Sequence, residues 1–301
     1  MQYAAGLINF RTSGDFMTPL DSATCFRLAL LAALVCATAC LLAGCEPVRE
    51  PLPNSFDAED VNSYCGDWTR LRNASFLYVN NVWNQGTIKR ENRLQCLLKR
   101  VVDGKEQHGW RWRWPRGSGE VKAYPEVIYG HKPWLSTSTT GALPRRISAI
   151  KEFTVAYDVR MHAHGRYNLA FDIWVTNNDR PTPAAITHEI MIWVGDRTDA
   201  WEPYPGKWVK SVMVGGAAYD LYVKSHAEWL TEHGAPNVVY IAFNARTARL
   251  SGGIDIREFL DYLTENGHLS AEGFVASVEL GNEVMHGTGE LWLKTYEISV
   301  N

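Results

Sequence analysis

The sequence has almost no charge imbalance. Its formal net charge is -3, and no block of like charges occurs, which removes the electrostatic basis for binding nucleic acid. Cysteine is nearly absent from the body of the chain. Of six cysteines, Cys25, Cys36, Cys40 and Cys45 lie near the start, so only Cys65 and Cys96 remain beyond them. Low-complexity tracts are missing, and stretches with a helix's apolar period are rare. Metal ligands are short as well. His162 and His164 form a His-x-His pair and His188 stands farther on, but no third ligand on the same face is evident. The pair is expected in a hairpin loop before Tyr167, and His188 at a strand end. No cofactor is implied.

What is present begins with one long apolar run. Leu28 to Gly44 ends in Leu42-Ala-Gly ahead of Cys45 and follows Arg27, the pattern of a lipoprotein-type export signal. The mature chain is expected to begin at a lipidated Cys45 and to meet a membrane through that lipid at the cell envelope; an uncleaved anchor is the alternative. Met17 is the more usual start for such a leader of residues 1–45. Pro47, Pro51 and Pro53 make residues 46–60 a semi-extended tether, and residues 61–301 form the domain. In an oxidising compartment Cys65 and Cys96 read as one disulfide, with two free buried thiols as the alternative. The sequon Asn73-Ala-Ser75 is expected to be unused.

The domain reads as short alternating strands, among them Phe76 to Val82, Gly109 to Trp114, Val155 to Met161, Val238 to Asn244 and Leu291 to Val300. Many short strands with little helix predict an all-β antiparallel sandwich of jelly-roll type. One short helix stands out: Asp255 can cap it, Glu258 completes a capping box, Phe259, Leu260 and Leu263 face inward, and Gly267 follows its end. It is expected on the convex face. Of twelve tryptophans, at least half are expected in the core, with carbohydrate binding a use for the rest.

Three strands carry acids opposite an aliphatic row. In Thr187 to Gly195, Ile190, Ile192 and Val194 point one way and Glu189, Met191 and Trp193 the other. In Asn168 to Thr176, Leu169, Phe171, Ile173 and Val175 oppose Asp172 and Trp174. In Phe274 to Glu283, Glu279 and Glu283 lie off the core face. A carboxylate beside an indole suits a cleft that grips the apolar face of a sugar; a Glu paired with a Lys or Arg at a strand end is the plainer alternative.

These stretches resemble glycoside hydrolase family 12, the small retaining endoglucanases and xyloglucanases. Glu189-Ile-Met-Ile-Trp193 is similar to that family's Glu-Leu-Met-Ile-Trp strand, Tyr167 to Trp174 to the strand before it, and Gly281-Asn-Glu283 with Gly287 to its Gly-x-Glu-x-x-x-Gly segment. Asn80-Asn-Val-Trp83, Val121-Lys-Ala-Tyr-Pro125 and Tyr296-Glu-Ile-Ser-Val300 follow the same order, so the resemblance runs from about Tyr64 to the end. It implies a concanavalin-like β-jelly roll of two curved antiparallel sheets and adds weight to a Cys65–Cys96 disulfide flanking Trp83.

The resemblance makes Glu189 the nucleophile, Glu283 the general acid and base, and Asp172 the residue that hydrogen-bonds the nucleophile. Retaining hydrolysis needs one carboxylate ionised and the other protonated, so Glu189 is expected to stay charged and to raise the pKa of Glu283. Trp83 is the expected stacking platform, with Asn80 beside it, and Met191 and Trp193 the cleft floor. Trp112 and Trp114 could extend the cleft or pack in the core. Three departures stand out: Glu279 replaces the usual Gln, as an ion-paired residue or a rival proton donor; Met285 replaces an aromatic residue; Asn84 replaces a Gly. The expected protein is an exported, monomeric endo-β-1,4-glucanase of cellulase type acting on a β-glucan. Xyloglucan-specific or mixed-linkage activity and a non-catalytic glycan-binding lipoprotein are the alternatives.

Overall fold

The computed structural model describes residues 61–117, 120–195 and 206–301. The leader, Cys45 and the tether lie outside them. Among the described residues no helix is long and apolar enough to cross a membrane.

Two sheets face each other. The smaller runs in the order β1 (Asn62–Tyr64), β4 (Leu94–Val102), β5 (Lys105–Trp114), β16 (Val284–Val300), β8 (Phe153–Tyr167), β14 (Ser251–Asp255). The larger runs β11 (Lys207–Val214), β12 (Ala217–Lys224), β13 (Val239–Ala245), β10 (Ile186–Trp193), β9 (Ala170–Thr176), β15 (Phe274–Gly281), β6 (Glu126–Gly130), β3 (Phe76–Val79), β2 (Arg70–Asn73), with β7 (Arg145–Arg146) on β15. This is a β-jelly roll, and its core lies between the sheets. The strand parity read from the sequence is the parity of that core: Leu169 just before β9, Phe171, Ile173 and Val175 of β9, and Ile190 and Ile192 of β10 are all buried in it.

The pairing is antiparallel except at one place, where β10 runs parallel to β13. The chain leaves β10 by a crossover to the sheet's edge and returns through the antiparallel pairs β11–β12 and β12–β13, which bring it back beside β10 in the same direction. The β11–β12 turn is Gly215-Gly216, both with positive φ (56° and 70°), the backbone that a two-residue type I′ hairpin requires. Strand β6 escaped sequence reading because Val127, Ile128 and Tyr129 are apolar in succession and buried on both faces, which leaves no alternation.

Trp110, Trp112 and Trp114 share one face of β5 and belong to the core between the sheets. Trp112 and Trp114 therefore do not extend a cleft. The expected loop for His162 and His164 is also corrected: both lie within β8, which pairs along its length with β16. Their Nε2 atoms are 3.1 Å apart, and among the described residues no group of three or more His, Cys, Asp or Glu side chains is placed to hold a metal. Cys65 and Cys96 form a disulfide.

Two helices are described rather than one. Helix α1 (Glu228–Thr231) is a single turn on the β12–β13 connection; α2 (Ile256–Glu265) is the expected helix. The Asp255 side chain accepts the Arg257 N–H at 2.9 Å. Phe259 meets Tyr219 and Phe243, with ring centroids 5.2 and 4.9 Å apart, so α2 covers the core-facing side of β12 and β13.

Candidate active site

The face of the large sheet turned away from the core carries the alternate residues of the same strands. Cross-strand register places Glu189 opposite Trp174, Met191 opposite Asp172, and Asp172 opposite Glu279. Glu283 follows the end of β15. Glu189, Glu283, Asp172 and Met191 line one cavity of about 210 Å³ with Trp83 and Trp134. Residues far apart in sequence meet because β9, β10 and β15 are neighbours in the sheet.

The segment containing α1 roofs this cavity. Trp229, Leu230 and His233 line it. The Trp134 indole N–H donates to the His233 carbonyl at 3.0 Å, and the His233 ring sits edge-on to Trp83 with centroids 5.4 Å apart. The roof therefore reaches from β12–β13 to the opposite rim.

Burial dominates the electrostatics. It pushes the Glu189 carboxyl up to about 8; the charge of Glu283 adds to this, while Lys132 and a hydrogen bond from the Trp229 side chain oppose it. The enclosed Glu189 Oε2 has no hydrogen-bond partner. Burial also raises Glu283, to about 7, against the pull of Asn168. Asn168 clamps this residue at two points: its Nδ2 donates to Glu283 Oε2 at 2.6 Å and its Oδ1 accepts the Glu283 N–H at 2.9 Å. Burial is thus the largest influence on both carboxyls, and Asn168 is a neutral donor that favours the charge of Glu283.

Asp172 is buried, and desolvation, followed by the charge of Glu189, drives its pKa well above the usual range. Its Oδ1 has no hydrogen-bond partner, and its coupling to Glu189 is one of charge. Of the two readings of Glu279, the ion pair holds: its Oε2 accepts from Lys132 Nζ at 2.6 Å, and the same Nζ donates to Glu126 Oε2 at 2.7 Å.

Two expected contacts lie elsewhere. Asn80 is wholly buried and donates to the carbonyls of Gly66 and Gln95, at 2.7 and 3.0 Å. Asn81, one residue on, lines the cavity instead; it donates to Glu126 Oε1 at 2.7 Å and accepts the Trp83 N–H at 3.0 Å. Trp193 is on the same sheet face as Glu189, but packs into the apolar cluster of Trp174, Tyr240 and Met285 and does not line the cavity. Met285 is buried there and its carbonyl accepts from Lys122, while Asn84 donates to the Val121 carbonyl at 2.7 Å. Sequence reading missed Asn168, Glu126, Lys132, Trp134, Trp229 and His233 as site residues. Asn168 opens the acid-bearing stretch of β9 and could have been found there; the others lie on or beside loops, where periodicity carries no signal.

A jelly roll presenting paired, enclosed carboxyls between indole walls defines a site of the glycoside hydrolase class. The chain matches the model of glycosyl hydrolase family 12 over residues 75–301 and belongs to that family; it is a glycoside hydrolase. It is 27% identical over 230 residues to Endoglucanase S of Pectobacterium parmentieri, covering 76% of this chain and 83% of that protein. A probable xyloglucan-specific endo-beta-1,4-glucanase A of Aspergillus terreus is 26% identical, with 79% and 87% covered. The native family 12 xyloglucanase from Bacillus licheniformis superposes with a TM-score of 0.70 at 28% identity, covering 80% of this chain and all of that one.

Proposed function

We propose that the protein hydrolyses internal β-1,4 bonds of a glucan backbone with retention of configuration. Glu189 attacks the anomeric carbon, and Glu283 protonates the leaving oxygen and then deprotonates the water that releases the glycosyl-enzyme. The observation that carries this reading is the enclosure of these two carboxyls in one cavity with Trp83 and Trp134. The apolar C–H face of a pyranose suits such indole walls. The β-1,4-glucan backbone is common to the substrates named for the relatives above.

The productive arrangement is Glu189 ionised and Glu283 protonated. Burial raises both carboxyls, so one proton is retained between them near neutral pH, and cleavage requires it on Glu283. Charge leaves Glu189 as the covalent bond forms, which lets Glu283 ionise and serve as base. Asp172, favouring its neutral form, stands beside the nucleophile as a potential donor.

Export fits the Cys65–Cys96 disulfide, a bond that persists in oxidising compartments. Lipid attachment at Cys45 would hold the enzyme at the envelope, where it would act as a monomer.

Product analysis on carboxymethyl cellulose, mixed-linkage glucan and xyloglucan, beside Glu189→Gln and Glu283→Gln, tests the reading. The expected result is internal cleavage that yields β-anomeric ends and is lost in both variants. Equal glycan binding by all three proteins without turnover would instead mean a binding protein.

A further inference from the structure

Lys132 occupies a place that the reaction as written does not use. It lines the catalytic cavity, yet its ammonium is buried against two carboxyls, Glu126 and Glu279, at 2.7 and 2.6 Å. The fold builds this group deliberately. Glu126 and Glu279 come from the paired strands β6 and β15, and Lys132 reaches back from the turn that follows β6. Asn81 donates to the far oxygen of Glu126 and Ser277 to that of Glu279, at 2.7 and 3.1 Å. Glu279 in turn lies directly across from Asp172, and Asp172 across from Met191, two residues along β10 from Glu189. Neighbouring strands are about 4.8 Å apart, so a row of acids crosses four strands toward the nucleophile with one ammonium set among them.

We propose that Lys132, held by Glu126 and Glu279, is a positioning residue whose positive charge acts across Asp172 on the nucleophile Glu189. The proposal rests on Glu189 being that nucleophile. An isolated buried ammonium would be too costly to keep ionised; the two carboxyls keep it charged, and their charges raise the affinity of Lys132 for its proton despite burial. Burial in turn drives the Glu279 pKa well above the usual range, which favours a proton held within the triad and a net charge near zero. The triad can therefore place a cation beside Asp172 and Glu189 without adding two further negative charges. Lys132 opposes the burial of both Asp172 and Glu189, whereas the shift of Glu283 comes from burial and Asn168. The cation thus acts on the group that must lose its proton. The other ionisable groups facing this region are the His233 ring, which lines the same cavity, and the Tyr124, Tyr240 and Tyr296 hydroxyls, three groups that burial first and then surrounding charges, these acids among them, drive well above the usual tyrosine range.

The test is the pH dependence of kcat/KM for the full-length protein on the β-glucan it cleaves fastest, with Lys132→Met, the double variant Glu126→Gln/Glu279→Gln, and Glu189→Gln. Removing the cation should move the limb governed by Glu189 to higher pH by about one unit. Removing the two acids that keep Lys132 ionised should let it lose its proton, so that limb should move the same way. The double variant preserves shape, so it carries the test if Lys132→Met fails to fold. Profiles that superimpose on the wild type, whatever the loss in kcat, would overturn the role of Lys132 alone. Wild-type turnover by Glu189→Gln would overturn the nucleophile assignment, and this inference with it.

Discussion

Replacing Asn168 with Ala isolates the clamp on Glu283, the carboxyl proposed as proton donor. The amide holds Glu283 through a 2.6 Å donor bond to its carboxylate and a 2.9 Å bond from its backbone N–H. A hydrogen bond to a charged group is worth about 1.5–3 kcal/mol, or roughly one to two pKa units at 1.36 kcal/mol each. The bond favours the ionised form, so its loss raises the Glu283 pKa further above about 7. Two effects follow. The shared proton moves toward Glu283, where bond cleavage needs it, and the alkaline limb of activity moves up by about one unit. Glu283 also loses its orientation, so kcat/KM at the optimum should fall about tenfold. Initial rates of reducing-end release between pH 4 and 10, measured for wild type and Asn168→Ala, would show both changes. A profile for the variant that overlays the wild type after scaling would refute the claim that Asn168 sets the proton affinity of Glu283.

Trp112→Ala should cost about 3–5 kcal/mol of stability by leaving a cavity between the sheets, while KM stays unchanged wherever the variant is folded; a raised KM at full stability would place the ring in the cleft instead. Cys65→Ser opens a loop whose ends are 31 residues apart in sequence, a loss of about 3.7 kcal/mol in the chain-entropy view. Thermal unfolding should then fall by roughly 10 °C, and an unchanged midpoint would mean the bond adds nothing to stability.

The strands were legible wherever one face meets the core and the other does not. Asp172, Glu189 and Glu279 could be placed together because alternation in β9, β10 and β15 turned each acid away from Phe171, Ile190 and Val278. The same rule could not decide what each non-core face meets. Trp193 and Glu189 share parity, but one is packed under Tyr240 and the other lines the cavity. Nor could it handle the chain beyond a strand's end: Asn80 and Asn81 differ by one residue, and only the latter faces the cavity. Lys132, Trp229 and His233 depend on where turns carry them, which composition does not encode.

The cavity volume bears on how the carboxyls acquire their working charges. About 210 Å³ lies below the roughly 300–1,000 Å³ typical of pockets for small ligands, and a polymer engaging both Glu189 and Glu283 needs more. Displacement of the α1 segment would widen the space for a glucan. Its hold on the far rim includes the hydrogen bond from Trp134 and the edge contact of His233 with Trp83, and a helix of one turn adds little rigidity of its own. Lifting it also withdraws Trp229 from Glu189 and admits water. The first change removes a donor that favours the Glu189 carboxylate; the second relieves desolvation, the largest cause of its raised pKa. Desolvation is the larger of the two influences, so an open, hydrated site would favour ionised Glu189 before a substrate chain displaces that water. The roof and the charge of the nucleophile are thus coupled through the same residue, Trp229, and through the water it excludes.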